Sequence, residues 1–302
     1  MMLGPTAVGK TAQAIHLAKQ LHAPIISCDS RQCYAELNIG VARPTQQELE
    51  AVPHYFIASH SIRQDLNAVA FEQYALDVIQ RLFEQHQHVV MAGGTGLYAK
   101  AFCEGLDAIP DVSVELRNQI IANYEAYGIQ WLQQEIKEKD PAFFEFGEIQ
   151  NPQRLMRALE VLLSTGRSIL SFRSNHKQER DFNIIKIGLE LPRPLLVDRI
   201  HQRVDVMMQE GLLDEVKSLL PYQNVNALQT VGYRELFEFL NGSISLPQAV
   251  ENIKINTRQY AKRQMTWFKR DEAITWCAPH EKQILQIVQD KLIEFGLPPI
   301  GI

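Results

Sequence analysis

Eight residues close to the N-terminus, GPTAVGKT at positions 4–11, fit the phosphate-binding pattern G-x-x-x-x-G-K-[ST] at every fixed position. Two glycines let successive backbone N–H groups converge on phosphate oxygens, and a helix that starts at the lysine directs its positive dipole end to the same point. Apolar residues at helical spacing follow, namely Ala14, Leu17, Ala18 and Leu21. The pattern predicts a strand, loop and helix of a parallel α/β sheet, with Lys10 on a phosphate and Thr11 on Mg²⁺.

Polar residues follow several of the apolar segments that have the length of strands. Only three residues precede the loop, so its own strand is expected to be very short, and further strands are predicted at 24–27, 88–92, 183–189 and 273–276. Asp29 comes after the second strand, and Thr95 lies in the glycine turn after the third. Because ligands bind beyond the carboxyl ends of parallel strands, we expect Asp29, Thr95 and the phosphate loop to lie together. Purely structural roles would explain these residues as well; Asp29 and Ser30, for example, can cap a helix.

The middle of the chain has helical patterns and no strand signals. Helices are predicted at 114–127, at 130–139 and from Pro152 to a C-cap at Gly166. Further helices are predicted after residue 190, across 195–220, 233–240, 246–269 and 280–295. We therefore expect a P-loop NTPase-like parallel sheet flanked by helices, with an inserted all-helical lobe. The catalytic core would comprise residues 1–111 and 181–302, and the lobe residues 112–180.

The charge distribution points to one polyanion-binding face. The chain carries a net charge of −5, yet the stretch from Asn252 to Arg270 contains six basic residues and no acidic one. Tyr260, Trp267 and Phe268 are interleaved with these charges. Basic and aromatic side chains together are typical of binding to single-stranded RNA. A solvated helix face with its aromatic residues packed inward explains the same pattern, and the residue types alone do not separate the two.

Several classes of protein are disfavoured by what the sequence lacks. The four cysteines have no C-x-x-C spacing, no histidine pair has H-x-x-x-H spacing, and no G-x-S-x-G segment occurs. No apolar run approaches the roughly 18–20 residues of a membrane helix, and the N-terminal residues do not resemble a signal peptide. We expect a cytoplasmic protein that does not bind a membrane. Arg199 and Arg203, four residues apart, would contribute to a phosphate site only if their helix face points toward the loop.

Seven segments in order give the chain a specific resemblance over essentially its whole length. They are GPTAVGKT at 4–11, DSRQCY at 29–34, GGTGLY at 93–98, NPQRLMRALEV at 151–161, RVDVM at 203–207, LQTVGYRE at 228–235 and TRQYAKRQMTWFK at 257–269. With them the sequence resembles the tRNA dimethylallyltransferases, also called tRNA isopentenyltransferases, of the bacterial type. The resemblance implies transfer of a dimethylallyl group from dimethylallyl diphosphate to the N6 amine of an adenosine. That adenosine lies immediately 3′ of the anticodon in tRNAs that read codons beginning with U.

The resemblance also implies roles for individual residues. Asp29 would accept the proton of the amine, with Thr95 and Arg203 as further catalytic residues, and Mg²⁺ on Thr11 would be the cofactor. The diphosphate would be bound by Gly4, Thr6, Ala7, Gly9, Lys10 and Thr11. Contact with the anticodon stem-loop would come from Asp29, Ser30, Arg31, Gln32, Thr95, Arg117, Asn151, Pro152, Gln153, Arg154, Leu155, Gln229, Gly232, Tyr233, Arg258, Lys262, Arg263, Gln264 and Trp267. A monomer is expected.

Two other functions remain possible from the residues alone. A small-molecule kinase would use the same phosphate loop for ATP, and loop spacing does not exclude it. A non-catalytic RNA-binding switch would show nucleotide-dependent RNA affinity and form no covalent product. The segments after residue 150 match neither class.

Overall fold

The computed structural model describes residues 1–174 and 176–300, and its centre is a sheet of six parallel strands. The strands are β1 (Met2–Leu3), β2 (Ile25–Ser27), β3 (His54–Tyr55), β4 (Val90–Gly93), β5 (Lys186–Leu189) and β6 (Ile274–Cys277). Their order across the sheet is β3-β2-β4-β1-β5-β6. The very short β1 pairs on both sides, with β4 and with β5, and both of its residues are buried. The predicted parallel α/β sheet is confirmed, whereas β3, with only two residues, was not predicted.

Residues 1–104 and 180–302 form one compact unit that contains the sheet. Its helices are α1 (Lys10–Gln20), α2 (Gln46–Ala51), α3 (Ala68–Phe83), α4 (Gly96–Glu104), α8 (Arg193–Gln209), α9 (Leu212–Ser218), α10 (Tyr233–Leu240), α11 (Leu246–Phe268) and α12 (Glu281–Glu294). Two 3₁₀ turns, Leu220–Tyr222 and Asn226–Leu228, lie between α9 and α10. Gly211 lies between α8 and α9 and has a φ of 100°. Glycine takes this left-handed conformation without steric cost, so the chain can turn here from one helix into the next.

One face of the sheet is covered by the first and last helices of this unit. Apolar residues of α1 and α12, among them Leu17, Ala18, Ile284 and Val288, share a buried cluster with Ile187 of β5. Burial of this apolar surface stabilises the sheet by roughly 25 cal/mol for each Å² removed from water. The polar residues described below lie at the edge of the sheet where the carboxyl ends of the strands meet.

Residues 105–179 form a second compact unit. It contains α5 (Val114–Lys139), α6 (Pro141–Phe146), α7 (Pro152–Thr165) and a 3₁₀ turn at Ile169–Phe172. Gly128 has a φ of 74° and interrupts α5, so that the two predicted helices are present on either side of a kink. The α7 helix begins after Asn151, whose side chain accepts from the backbone N–H of Arg154, and ends at Gly166, in the left-handed conformation of a C-cap. Leu155 and Leu159 of α7 are fully buried in the core of this unit.

No helix within residues 1–174 and 176–300 is both long enough and apolar enough to cross a membrane.

Candidate active site

The phosphate loop joins the buried β1 to the first residue of α1. Gly9 precedes the helix with a φ of 104°, and Ala7 also has a positive φ, of 63°. The ammonium group of Lys10 donates to the carbonyl oxygen of Pro5 at 2.7 Å, within the loop itself. Burial lowers the pKa of Lys10 to about 8; the nearby Asp29 carboxylate opposes this shift and the Arg203 guanidinium adds to it. A buried cation with a lowered pKa gains strongly from an anion bound beside it.

Two of the arginines of α8, Arg199 and Arg203, are turned toward this loop. Arg199 donates from Nη1 to the carbonyl oxygen of Val8 at 3.3 Å, and Arg203 donates from Nη1 to the hydroxyl of Thr6 at 3.4 Å. Burial lowers the pKa of Arg203, but a guanidinium stays charged at neutral pH. The helix face that carries these arginines therefore points toward the phosphate loop, as a contribution to a phosphate site requires.

Asp29 and Thr95 lie side by side after the neighbouring strands β2 and β4. Asp29 Oδ1 accepts from the backbone N–H groups of Arg31 at 2.8 Å and of Gln32 at 3.3 Å. Both bonds are those of a turn-capping aspartate, and Oδ2 takes part in neither. The Thr95 hydroxyl accepts from the backbone N–H of Ser30 at 3.0 Å. Asp29 thus combines the capping role with a position at the polar edge of the sheet.

Tyr260 of α11 also lies close to Asp29 and Thr95. Its hydroxyl lies close enough to the side chain of Thr95 for that side chain to affect its pKa. Burial raises the pKa of Tyr260, and the Asp29 carboxylate raises it further, so the phenol remains protonated at neutral pH.

A cavity of about 310 Å³ opens over the phosphate loop, Asp29, Arg203 and Tyr260. Its polar lining includes Lys10, Thr11, Asp29, Arg31 and Arg203. Its apolar lining includes Ala7, Val41, Ala42, Val204, Met207, Leu212, Val231 and Ile253. The cavity therefore offers cationic and carboxylate groups beside an apolar wall, which fits a small molecule with an anionic head and an apolar tail.

Apart from Ala7, the residues of the apolar wall were not predicted from the sequence, and neither was the loop at residues 40–42. Met207 could have been found, because it follows Arg203 by one helical turn and so shares its face. Residues 39 and 40 are held by Glu215 of α9, whose carboxylate accepts from the N–H groups of Ile39 at 2.7 Å and of Gly40 at 3.1 Å. The same carboxylate accepts from the Tyr233 hydroxyl at 2.6 Å. Local sequence patterns do not predict contacts between residues that lie this far apart in the chain.

The residues expected to contact RNA differ widely in exposure. Arg117, Gln153, Arg154, Gln229, Lys262 and Arg263 are exposed; Ser30, Arg31, Asn151, Pro152, Arg258 and Trp267 are partly buried. Gln32 donates from Nε2 to the carbonyl oxygens of Val41 and Ala42, so its amide holds the loop that lines the cavity.

Three of the predicted RNA contacts need correction. The side chains of Leu155, Tyr233 and Gln264 are buried, with at most 6% of their surface exposed, and so offer no surface to RNA. Leu155 packs in a helical core, Tyr233 is bonded to Glu215, and both amide atoms of Gln264 are bonded within the protein. In this structure the three side chains make their contacts inside the protein.

The residues near the cavity fit a magnesium ion that is shared with a substrate phosphate. Mg²⁺ prefers oxygen ligands and usually takes one or two from the protein, the rest coming from phosphates and water. The Thr11 hydroxyl and the Asp29 carboxylate line the same cavity. Among the residues that the structure describes, no group of three or more His, Cys, Asp or Glu side chains could hold a metal ion alone.

Known proteins resemble this chain over almost all of its length. A tRNA dimethylallyltransferase 1 of Bacteroides thetaiotaomicron is 46% identical over 290 residues, which cover 96% of this chain and 94% of that protein. A tRNA dimethylallyltransferase of Cytophaga hutchinsonii is 43% identical, with 97% of each chain covered. These relatives agree with the predicted transferase and not with the alternative of a small-molecule kinase.

Solved structures have the same fold. The full-length tRNA isopentenylpyrophosphate transferase of Bacillus halodurans matches with a TM-score of 0.72 at 34% identity, covering 98% of this chain and 96% of that one. A eukaryotic dimethylallyltransferase acting on tRNA matches with a TM-score of 0.80 at 22% identity, covering 99% and 80%. The sequence profile described as IPP transferase matches residues 32–271. With a matching profile, matching relatives and a phosphate-loop cavity flanked by Asp29 and Arg203, the chain belongs to the IPP transferase family.

Proposed function

We propose that this protein transfers a dimethylallyl group from dimethylallyl diphosphate to the N6 amine of the adenosine 3′ of the anticodon in tRNAs that read UNN codons. The products are N6-(dimethylallyl)adenosine and diphosphate. One observation carries the proposal: a carboxylate, Asp29, lines the same cavity as the Lys10 and Arg203 cations and an apolar wall. An apolar wall beside the anion site suits a short isoprenoid tail.

The anionic head group is assigned to the phosphate loop. Backbone N–H groups of the loop, Lys10 and Arg203 bind the diphosphate, with Gly4, Thr6, Ala7, Gly9 and Thr11 shaping the cradle. Negative charge grows on the leaving oxygen during the reaction, and fixed cations lower the barrier most when they lie where that charge develops. The Thr11 hydroxyl would hold Mg²⁺, which when bound would neutralise part of the diphosphate charge.

The carboxylate side of the cavity is assigned to the adenine. The bond between the allylic carbon and the diphosphate oxygen breaks, a bond from N6 to that carbon forms, and the N6 proton passes to Asp29. The Asp29 carboxylate is already oriented by the backbone N–H groups of Arg31 and Gln32. Thr95 and Tyr260 lie beside it and restrict where the base can sit. Because the amine is enclosed by stacking in RNA, the adenosine has to be flipped out to reach the cavity.

The RNA is assigned to the exposed basic side of α11 and to the helical unit at 105–179. Lys262 and Arg263 are exposed on α11, and Arg154 and Gln153 are exposed at the start of α7. Phosphate contacts from such side chains position a nucleic acid, while the flipped base provides the chemical specificity. We further propose that the protein acts as a monomer in the cytoplasm, where its tRNA substrate is found.

The proposal is tested with an anticodon stem-loop RNA, Mg²⁺ and either dimethylallyl diphosphate labelled in the dimethylallyl group or ATP labelled in its γ-phosphate. We expect label in the RNA only from the isoprenoid. A matched RNA in which guanosine replaces the target adenosine should take up none. Phosphoryl transfer from ATP with no isoprenoid incorporation would instead establish the kinase.

A further inference from the structure

Gln264 is a buried polar residue of α11 for which the proposed chemistry has no role. Its side-chain oxygen Oε1 accepts from the backbone N–H of Thr6 at 2.8 Å. Its nitrogen Nε2 donates to the carbonyl oxygen of Gly94, also at 2.8 Å. Only 6% of its surface is exposed. A single amide therefore joins the phosphate loop to the glycine turn after β4.

The two bonds require both ends of an amide. Thr6 N–H can only donate and the Gly94 carbonyl can only accept, so the orientation of the amide follows from its partners. The glycine turn is also approached closely, since a Cβ at Gly94 would lie 2.2 Å from Gln264 Nε2, and one at Gly96 would lie 2.2 Å from Trp267 Cδ1. The absence of side chains there lets α11 lie directly against the turn.

Each bonded group belongs to a different half of the site. Thr6 lines the cavity and accepts from Arg203, on the anion side. Gly94 precedes Thr95, whose hydroxyl bonds Ser30, the residue after Asp29, on the carboxylate side. Lys262 and Arg263, directly before Gln264, are exposed basic residues of the same helix. A shift of α11 on binding a polyanion would be transmitted through one side chain to both loops.

We propose that Gln264 is a positioning residue that makes binding of RNA on α11 and binding of diphosphate in the phosphate loop cooperative. The inference rests on the proposed function, because it takes RNA as the ligand of α11. The coupling is reciprocal: RNA tightens diphosphate binding by the same factor as diphosphate tightens RNA binding.

The coupling factor is measured by titrating inorganic diphosphate with Mg²⁺ in the absence and presence of an unmodified anticodon stem-loop, a pair that cannot react. We expect the wild-type protein to bind diphosphate about fivefold or more tightly when RNA is present. In Gln264→Leu, which loses both bonds, the factor should fall to about one. Gln259→Leu, the same change at an exposed position of α11, is the matched control and should keep the wild-type factor.

Gln264→Glu separates coupling from a general loss of structure. An ionised carboxylate still accepts from Thr6 but cannot donate to Gly94, whereas the protonated acid can do both. Burial raises the pKa of a carboxyl group. The coupling factor of this variant should therefore recover toward the wild-type value as the pH falls from about 8 to 6. A role in folding alone predicts no such recovery, and this variant also carries the test if Gln264→Leu does not fold.

The inference is overturned if the wild-type protein binds both ligands without coupling. It is also overturned if Gln264→Leu keeps the wild-type factor, or if the factor of Gln264→Glu does not change with pH. If wild-type protein binds diphosphate but no RNA, the proposed function fails, and that outcome is distinct from the loss of coupling alone.

Discussion

Burial disfavours the charged form of Lys10 in the free protein, and a bound anion stabilises it. Its pKa is lowered to about 8 by burial, so the free protein loses this positive charge as the pH rises through that value. Diphosphate binding requires the charged form. We therefore expect the affinity for dimethylallyl diphosphate to be highest below pH 8 and to fall above it, by at most about tenfold per pH unit. Calorimetric titrations between about pH 7 and 10 measure this dependence.

Lys10→Arg is the control for that pH profile. A guanidinium stays charged over the whole range, so the decline above pH 8 should disappear in this variant even if its affinity is lower overall. A decline of the same size in both proteins would assign the titration to another group.

Asp29→Asn tests the proton acceptor. An asparagine oxygen can still accept from the N–H groups of Arg31 and Gln32, so the turn and the fold should persist. Because an amide cannot take the amine proton, we expect the single-turnover rate to fall by about 10²- to 10⁴-fold with both substrate affinities nearly unchanged. A loss smaller than about tenfold would leave Asp29 with the capping role alone.

At the scale of elements, α11 carries the charge assigned to RNA. Replacing the exposed Lys262 and Arg263 with glutamate should weaken tRNA binding. Removal of each side chain that binds a phosphate should also reduce the slope of log affinity against log salt by roughly 0.7–0.9. Filter binding at several salt concentrations measures both quantities, with thermal melting to verify the fold.

A second double variant has the same change in net charge at another surface. Lys19 and Lys282 are exposed on α1 and α12, and reversing both should leave the salt slope as in the wild type. If the two double variants behave alike, the effect is one of overall charge and the RNA face lies elsewhere.

The network centred on Glu215 ties α9 and α10 to the loop that lines the cavity. Burial raises the pKa of Tyr233, with the Glu215 carboxylate adding to the shift, so the phenol remains a hydrogen-bond donor. Glu215→Ala removes the acceptor for three donors, and we expect unfolding to become easier by roughly 1.5–3 kcal/mol or more. The KM for dimethylallyl diphosphate should also rise. Urea denaturation and steady-state kinetics measure the two effects.

Asp214→Ala is the neighbouring control, because this exposed residue makes a surface ion pair with Lys217 that is worth at most about 1 kcal/mol. Equal effects of the two substitutions would mean that the loop does not depend on Glu215.

At the scale of the whole molecule, the features that sequence predicts are the local and periodic ones. The phosphate loop, the strands at β2, β4, β5 and β6, and the start of α7 at Pro152 with its C-cap at Gly166 follow from glycine, proline and apolar spacing over a few residues. The meeting of Asp29, Thr95 and the loop follows from sheet topology, because β2, β4 and β1 are adjacent. Parallel strands place their carboxyl ends at one edge, so these assignments needed no knowledge of side-chain contacts.

The features that sequence does not predict depend on contacts between distant residues. The family resemblance implies that Gln264 contacts RNA, yet its amide bonds Thr6 and Gly94. The loop at 40–42 lines the cavity because Glu215 holds it, which no local pattern indicates. The β3 strand has only two residues, too few for an alternating pattern.

In the proposed reaction the cavity couples cleavage of an isoprenoid diphosphate to capture of an RNA amine. This coupling is tested by incubating the protein with tRNA, dimethylallyl diphosphate and Mg²⁺ and quantifying two products in one sample. Nucleoside mass analysis measures N6-(dimethylallyl)adenosine, and an enzymatic assay measures free diphosphate. We predict that the two appear in equal amounts and that neither forms when tRNA lacks the target adenosine. Diphosphate release without the modified nucleoside, or a dimethylallyl group on any other atom of the RNA, would contradict this mechanism.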